Sequence, residues 1–116
     1  MAELLELSLD ISFCNGVTLQ PYMEKDWHDF LKLCSKLKSE KDLENLFNLF
    51  FTLEEKEVLA SRFEIIKKLL EEKLTQREIA ETCKVSISQI TRGSNALKII
   101  DPKFKTSLIS LFRWWR

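Results

Sequence analysis

Four helix-start signals, falling between residues 52 and 102, constrain this chain more than any other feature. Thr52-Leu53-Glu54-Glu55 and Thr75-Gln76-Arg77-Glu78 fit the capping box, in which a threonine hydroxyl meets the amide three residues on and a glutamate reaches back. Ser86-Ile87-Ser88-Gln89 repeats the pattern with glutamine, and Asp101-Pro102 offers an N-cap followed by proline at the first helical position. Between these signals apolar residues recur every three or four positions, as in Val58, Leu59, Phe63, Ile66, Leu69 and Leu70. Only two glycines and two prolines occur in 116 residues, too little turn chemistry for a sheet protein, so the expected class is all-α. The signals and periods predict six helices over about 24–39, 42–50, 53–72, 76–83, 87–99 and 102–113.

Residues 1–22 read differently. They contain no Lys or Arg, so they lack the positive region of a secretory signal. Leu7, Leu9, Ile11 and Phe13 alternate as a short strand does, and Asn15-Gly16 is a turn signal. The favoured expectation is a poorly structured N-terminal extension, with Met23, directly before an acidic helical start, as an alternative initiation site. The helical domain is then expected over 23–113, with 114–116 as a C-terminal tail.

Several function classes lose support from composition. The chain has one histidine, His28, so neither a paired-histidine zinc site nor an imidazole relay is expected. Its three cysteines are an odd number without a C-x-x-C, the usage of a reducing cytoplasm. No glycine-rich phosphate loop and no G-x-S-x-G is present, so the expectation is no enzyme, no catalytic residues, no metal and no cofactor. No apolar run approaches the roughly 18 residues of a membrane span.

The stretch from Thr75 has the dimensions of a helix-turn-helix of about 75–99. Ala80 is small where the second helix must pass close, and Ile79, Val85 and Ile90 are apolar where the two helices meet. Lys84 occupies the turn position where glycine usually takes positive φ. The second helix exposes Ser88, Gln89, Thr91, Arg92 and Asn95, groups able to hydrogen-bond base edges and phosphates. The net charge is zero, yet Arg77, Lys84, Arg92 and Lys98 outnumber Glu78 and Glu81 within 75–98, and Lys103, Lys105, Arg113 and Arg116 face no acid within 103–116. An ordinary amphipathic helix pair with solvated charges is the alternative. The apolar run Leu43, Leu46, Phe47, Leu49, Phe50 and Phe51 is either a core helix or the heart of an intertwined dimer.

TQREIAETCKVSISQITRGSNALK, Thr75 to Lys98, resembles the helix-turn-helix of the bacterial tryptophan repressor family, and FNLFFTLEEKEVLASRFEIIKKLLEEKLTQRE is similar to the segment preceding it there. The likeness covers roughly residues 27–112. It implies a six-helix intertwined homodimer in which the first, second, third and last helices interlock with those of the partner. It also implies an L-tryptophan corepressor pocket. Arg62 and Arg92 would lie on either side of the indole, with Arg92 also meeting the carboxylate. Gly93 would let the ring approach the helix backbone. The carbonyls of Leu49 and Phe51, with Thr52, would receive the ammonium from the other subunit. Ala96 stands where the family commonly has a serine that helps bind the amino group.

For operator DNA the resemblance implies Gln76, Arg77, Ile87, Ser88, Gln89, Thr91 and Lys98 as contacts. Ala80 replaces a basic residue that some relatives use. The function so implied is a cytoplasmic, tryptophan-dependent transcriptional repressor of tryptophan synthesis or uptake genes, binding double-stranded operator DNA as a homodimer and no membrane. Two alternatives stand beside it. One is a repressor-like regulator that has lost tryptophan sensing or answers another indole, for which Ala96 is the best support. The other is a helical protein-interaction module, supported by Phe47–Phe51 and Trp114-Trp115.

Overall fold

The computed structural model describes residues 20–114, and within them it is built from six α-helices. These are α1 (Pro21–Lys36), α2 (Glu40–Phe50), α3 (Leu53–Glu71), α4 (Gln76–Cys83), α5 (Ile87–Ile99) and α6 (Pro102–Trp114). The strand-like alternation of Leu7–Phe13, the expected extension up to residue 19, and Trp115 lie outside the described residues. The chain divides into two compact units, and among described residues the division falls after Glu57, just past the first turn of α3.

In the first unit, α1 starts at Pro21 and stops at Lys36, both about three residues earlier than the apolar period suggests. Proline at the first helical position has its φ already set and lacks only an amide that would be unpaired there. At the other end Leu37 turns extended and its amide closes on the Cys34 carbonyl at 3.2 Å. Ser39 then caps α2, accepting the Asp42 amide at 3.0 Å. Aromatic rings join the two helices. Phe30 meets Phe50 edge-on at 5.3 Å between centroids and Phe51 at 6.4 Å, while Phe47 and Phe51 stand at 5.4 Å. Such pairs add about 0.5–1.5 kcal/mol each beyond the area they bury. Even so, no residue of α1 or α2 is fully buried, and Leu49 is 77% exposed.

The first capping box closes as expected. The Thr52 amide donates to Glu55 Oε1 at 2.8 Å, and the Glu55 amide donates to Thr52 Oγ1 at 3.1 Å. The second unit, from Val58, is organised around three fully buried isoleucines, Ile65 of α3, Ile79 of α4 and Ile90 of α5. Leu69, Ala80, Cys83 and Val85 pack against them. Helix α3 ends where Glu72 enters the left-handed region at φ 56°. Two residues beyond Lys73 comes the second capping box, with both legs made. At the far end of the unit the Asp101 carboxylate accepts the Lys103 amide at 3.1 Å, and α6 lays Phe112 against Phe63 of α3 at 5.6 Å. Helix α6 continues through Trp114, which is therefore helical and is 90% exposed.

Candidate nucleic-acid interface

Helices α4 and α5 form the expected pair. Lys84, between them, takes φ 57° and ψ 46°, and the Val85 amide closes the turn on the Ala80 carbonyl at 3.1 Å. A non-glycine residue there carries a strain of about 1–2 kcal/mol. The turn survives because Ile79, Ala80 and Val85 all share the core with Ile90. The Thr75–Glu78 box fixes the start of α4. Its bond from the Thr75 amide holds the Glu78 carboxyl below the ordinary glutamate range.

The third box does not form. The Ser86 hydroxyl makes no cap to the α5 amides and pairs with the Ser88 hydroxyl at 2.9 Å. Ser88 is the nearer partner, and the Gln89 amide is taken by the Ser86 carbonyl at 3.1 Å instead.

Burial of Ile90 and Gly93 turns the rest of α5 outward. Ile87, Ser88, Gln89, Thr91, Arg92, Asn95 and Lys98 are exposed, as are Gln76 and Arg77 at the start of α4. The DNA-contact candidates are thus brought onto one surface of one helix pair, with Lys84 at its turn. Thr91 is less free than its sequence suggests, because its hydroxyl donates to the Ile87 carbonyl at 3.1 Å.

The ligand candidates fall into two groups. Helices α3 and α5 approach closely at Gly93. A Cβ placed there would lie 3.1 Å from Ile65 Cγ2, 3.3 Å from Leu69 Cδ1 and 3.5 Å from Ile66 Cδ1. Arg62, half-buried, lies three residues before Ile65 on α3, and Arg92 is next to Gly93 on α5. Ala96, also half-buried, follows Gly93 by one turn. These four therefore sit on the two helices that meet at the glycine. Its placement also has a packing reason: the space of a side chain is already filled by α3. Leu49, Phe51 and Thr52 belong to the other unit, at the C-terminal end of α2 and the linker after it. Carbonyls at such an end are not consumed by the helix and carry its negative pole, which suits a cation. Thr52 already accepts the Glu55 amide, so its hydroxyl keeps one proton and part of its accepting capacity. No His, Cys, Asp and Glu cluster able to hold a metal occurs among the described residues, and none of the described helices is long and apolar enough to cross a membrane.

Comparison with known families decides the relationship. The family model for the Trp repressor protein matches residues 25–111. The chain belongs to that family. The Trp repressor family is one of transcriptional regulators and not of enzymes, in keeping with the all-α fold and its helix-turn-helix. A Trp operon repressor homolog of Chlamydia caviae is 59% identical over 90 residues, covering 78% of this chain and 89% of the relative. One of Chlamydia trachomatis serovar D is 59% identical over 85 residues, covering 73% and 90%. A more distant one, from Histophilus somni, is 38% identical over 80 residues, covering 69% and 76%.

Proposed function

We propose that this member of the Trp repressor family is a tryptophan-dependent transcriptional repressor acting in the cytoplasm. It binds operator DNA as a homodimer and controls genes of tryptophan synthesis or uptake. The observation that carries the reading is the α4–α5 pair, locked on Ile65, Ile79 and Ile90 with its polar and basic residues outward, in a chain of this family. Dimerisation is supported by the apolar surface. Leu49, Leu53, Leu59, Phe104, Leu111 and Trp114 are all more than half exposed, more than an isolated small chain sustains in water.

In this reading L-tryptophan enters beside the meeting point of α3 and α5. The Arg62 and Arg92 guanidiniums stack on the two indole faces, and Arg92 forks to the carboxylate. The Leu49 and Phe51 carbonyls and Thr52 of a second copy take the ammonium. Gly93 keeps the backbone of α5 accessible, and Ala96 leaves the ammonium without a side-chain hydroxyl on that helix. Occupancy sets the two recognition helices about one DNA turn, roughly 34 Å, apart. Because the ligand favours the DNA-competent arrangement, DNA must tighten tryptophan binding by the same factor. Gln76, Arg77, Ile87, Ser88, Gln89 and Thr91 then address bases, and Lys98 phosphate.

Calorimetric titration with L-tryptophan beside tryptamine tests the pocket. One site per chain, lost with tryptamine, supports it; no saturable heat up to millimolar tryptophan removes it. A second reading draws on Gly93 and Ala96. The glycine is accounted for by packing against Ile65 and Leu69, and the missing hydroxyl at residue 96 weakens ammonium recognition. Under that reading the chain is a DNA-binding regulator that has lost tryptophan sensing or answers another indole, and indole derivatives without the amino group would bind better than tryptophan.

A further inference from the structure

We infer that α5 reads thymine through its 5-methyl group and that Ile87 is the residue that does so, an inference that rests on the DNA-binding reading above. Ile87 is the first residue of α5, and half of its surface is exposed on a face otherwise made of polar groups. The hydroxyls beside it are occupied. Thr91, four residues on and so on the same stripe, has donated its only hydroxyl proton to the Ile87 carbonyl at 3.1 Å. It retains a methyl group and accepting capacity, but no donor. Ser86 and Ser88 share one proton between them at 2.9 Å. The Ile87–Thr91 stripe therefore offers branched hydrocarbon where a hydrogen-bonding reader would offer donors.

Charge around the stripe selects the partner. Arg77 and Lys84 of the same helix pair, with Arg92 and Lys98 of α5, are all exposed, an arrangement matched by phosphates flanking a groove. An apolar protein partner would have to desolvate those cations. In the major groove of unmodified DNA the thymine methyl is the apolar group on a base edge, and it is the feature that an aliphatic side chain can distinguish. Hydrogen-bond readout is then left to Arg77, Gln89 and Arg92, which have planar or long side chains.

The test uses the full chain with L-tryptophan. A tight-binding duplex is selected from a randomised library, and its thymidines are replaced one at a time by deoxyuridine, which removes only the methyl. Fluorescence anisotropy should show about a fourfold loss of affinity at one thymidine in each half-site, the effect of leaving one methyl unburied, and little change elsewhere. In Ile87→Ala the difference between the thymidine and deoxyuridine duplexes should vanish. The side chain is half exposed and outside the isoleucine core, and the wild-type arm stands whether or not the variant folds. Equal affinity for every deoxyuridine duplex overturns the inference, and so does a methyl preference that persists in Ile87→Ala. Failure to retain any duplex is a separate outcome, which overturns the DNA-binding reading and this inference together.

Discussion

Replacing Gly93 by alanine sets two effects of known size against each other. In a helix interior alanine is favoured over glycine by about 1 kcal/mol. Against this, the added methyl would sit 3.1 Å from Ile65 Cγ2 and 3.3 Å from Leu69 Cδ1, closer than ordinary van der Waals contact. Leu69 Cδ1 is the end of a flexible, partly exposed side chain and can swing aside. Ile65 Cγ2 branches directly from Cβ in a fully buried residue, so it moves only if the whole side chain or α3 moves. Overpacking of that kind opposes folding by about 1–3 kcal/mol. The balance is a net loss of about 1 kcal/mol for Gly93→Ala. Urea denaturation at fixed protein concentration measures it, and a double-mutant cycle with Ile65→Ala locates it. The cavity left by the isoleucine accepts the new methyl, so the double variant should be less destabilised than the sum of the singles by about 1 kcal/mol. A stabilised Gly93→Ala, or strict additivity with Ile65→Ala, would refute the reasoning and leave the glycine free for another purpose.

Other outcomes follow from the turns, the caps and the arginines. Lys84→Gly relieves the left-handed strain but loosens the unfolded chain, so thermal melting should show a gain of about 0.5–1 kcal/mol. Glu78 has a folded-state pKa below its unfolded value, so its contribution is present above the unfolded pKa and is lost as pH falls through the folded one. Glu78→Gln should accordingly flatten the acid limb of stability against pH, while an unchanged limb would remove the carboxylate from the account. Arg92→Ala should abolish the dependence of DNA binding on tryptophan, and an undiminished ligand response in that variant would sink the pocket assignment.

Much of the architecture was legible because it is written in local chemistry. Thr52, Thr75 and Asp101 each sit beside the amides they cap, and no distant contact competes for them. The helix-turn-helix was equally readable, since Ala80, Ile79, Val85 and Ile90 are the sizes that close packing requires, and Lys84 had to turn left-handed for the others to meet. Ser86 shows where local reading fails. The same motif that works at Thr52 and Thr75 is pre-empted by Ser88, a competitor two residues away. The bounds of α1 slipped because an apolar stripe says which face is buried and little about where a helix stops. Among site residues, the outward face of α5 followed from periodicity, whereas the ligand candidates at Leu49 and Phe51 act through backbone carbonyls that no side-chain pattern records. The packing role of Gly93 needed the neighbouring helix to become visible.

The three-isoleucine seam sets the lifetime of the reading head as well as its shape. Three side chains, each contributing about 1.5–3 kcal/mol on burial, hold α4 and α5 to α3, with only partly buried Leu69, Ala80, Cys83 and Val85 around them. A cooperative unit fastened so narrowly opens on its own more often than the whole molecule unfolds. Amide hydrogens of α4 and α5 should therefore exchange with solvent ahead of those in the middle of α3. Any ligand that joins α3 to α5 will be seen first as slowed exchange in the reader, before any shift in its average position.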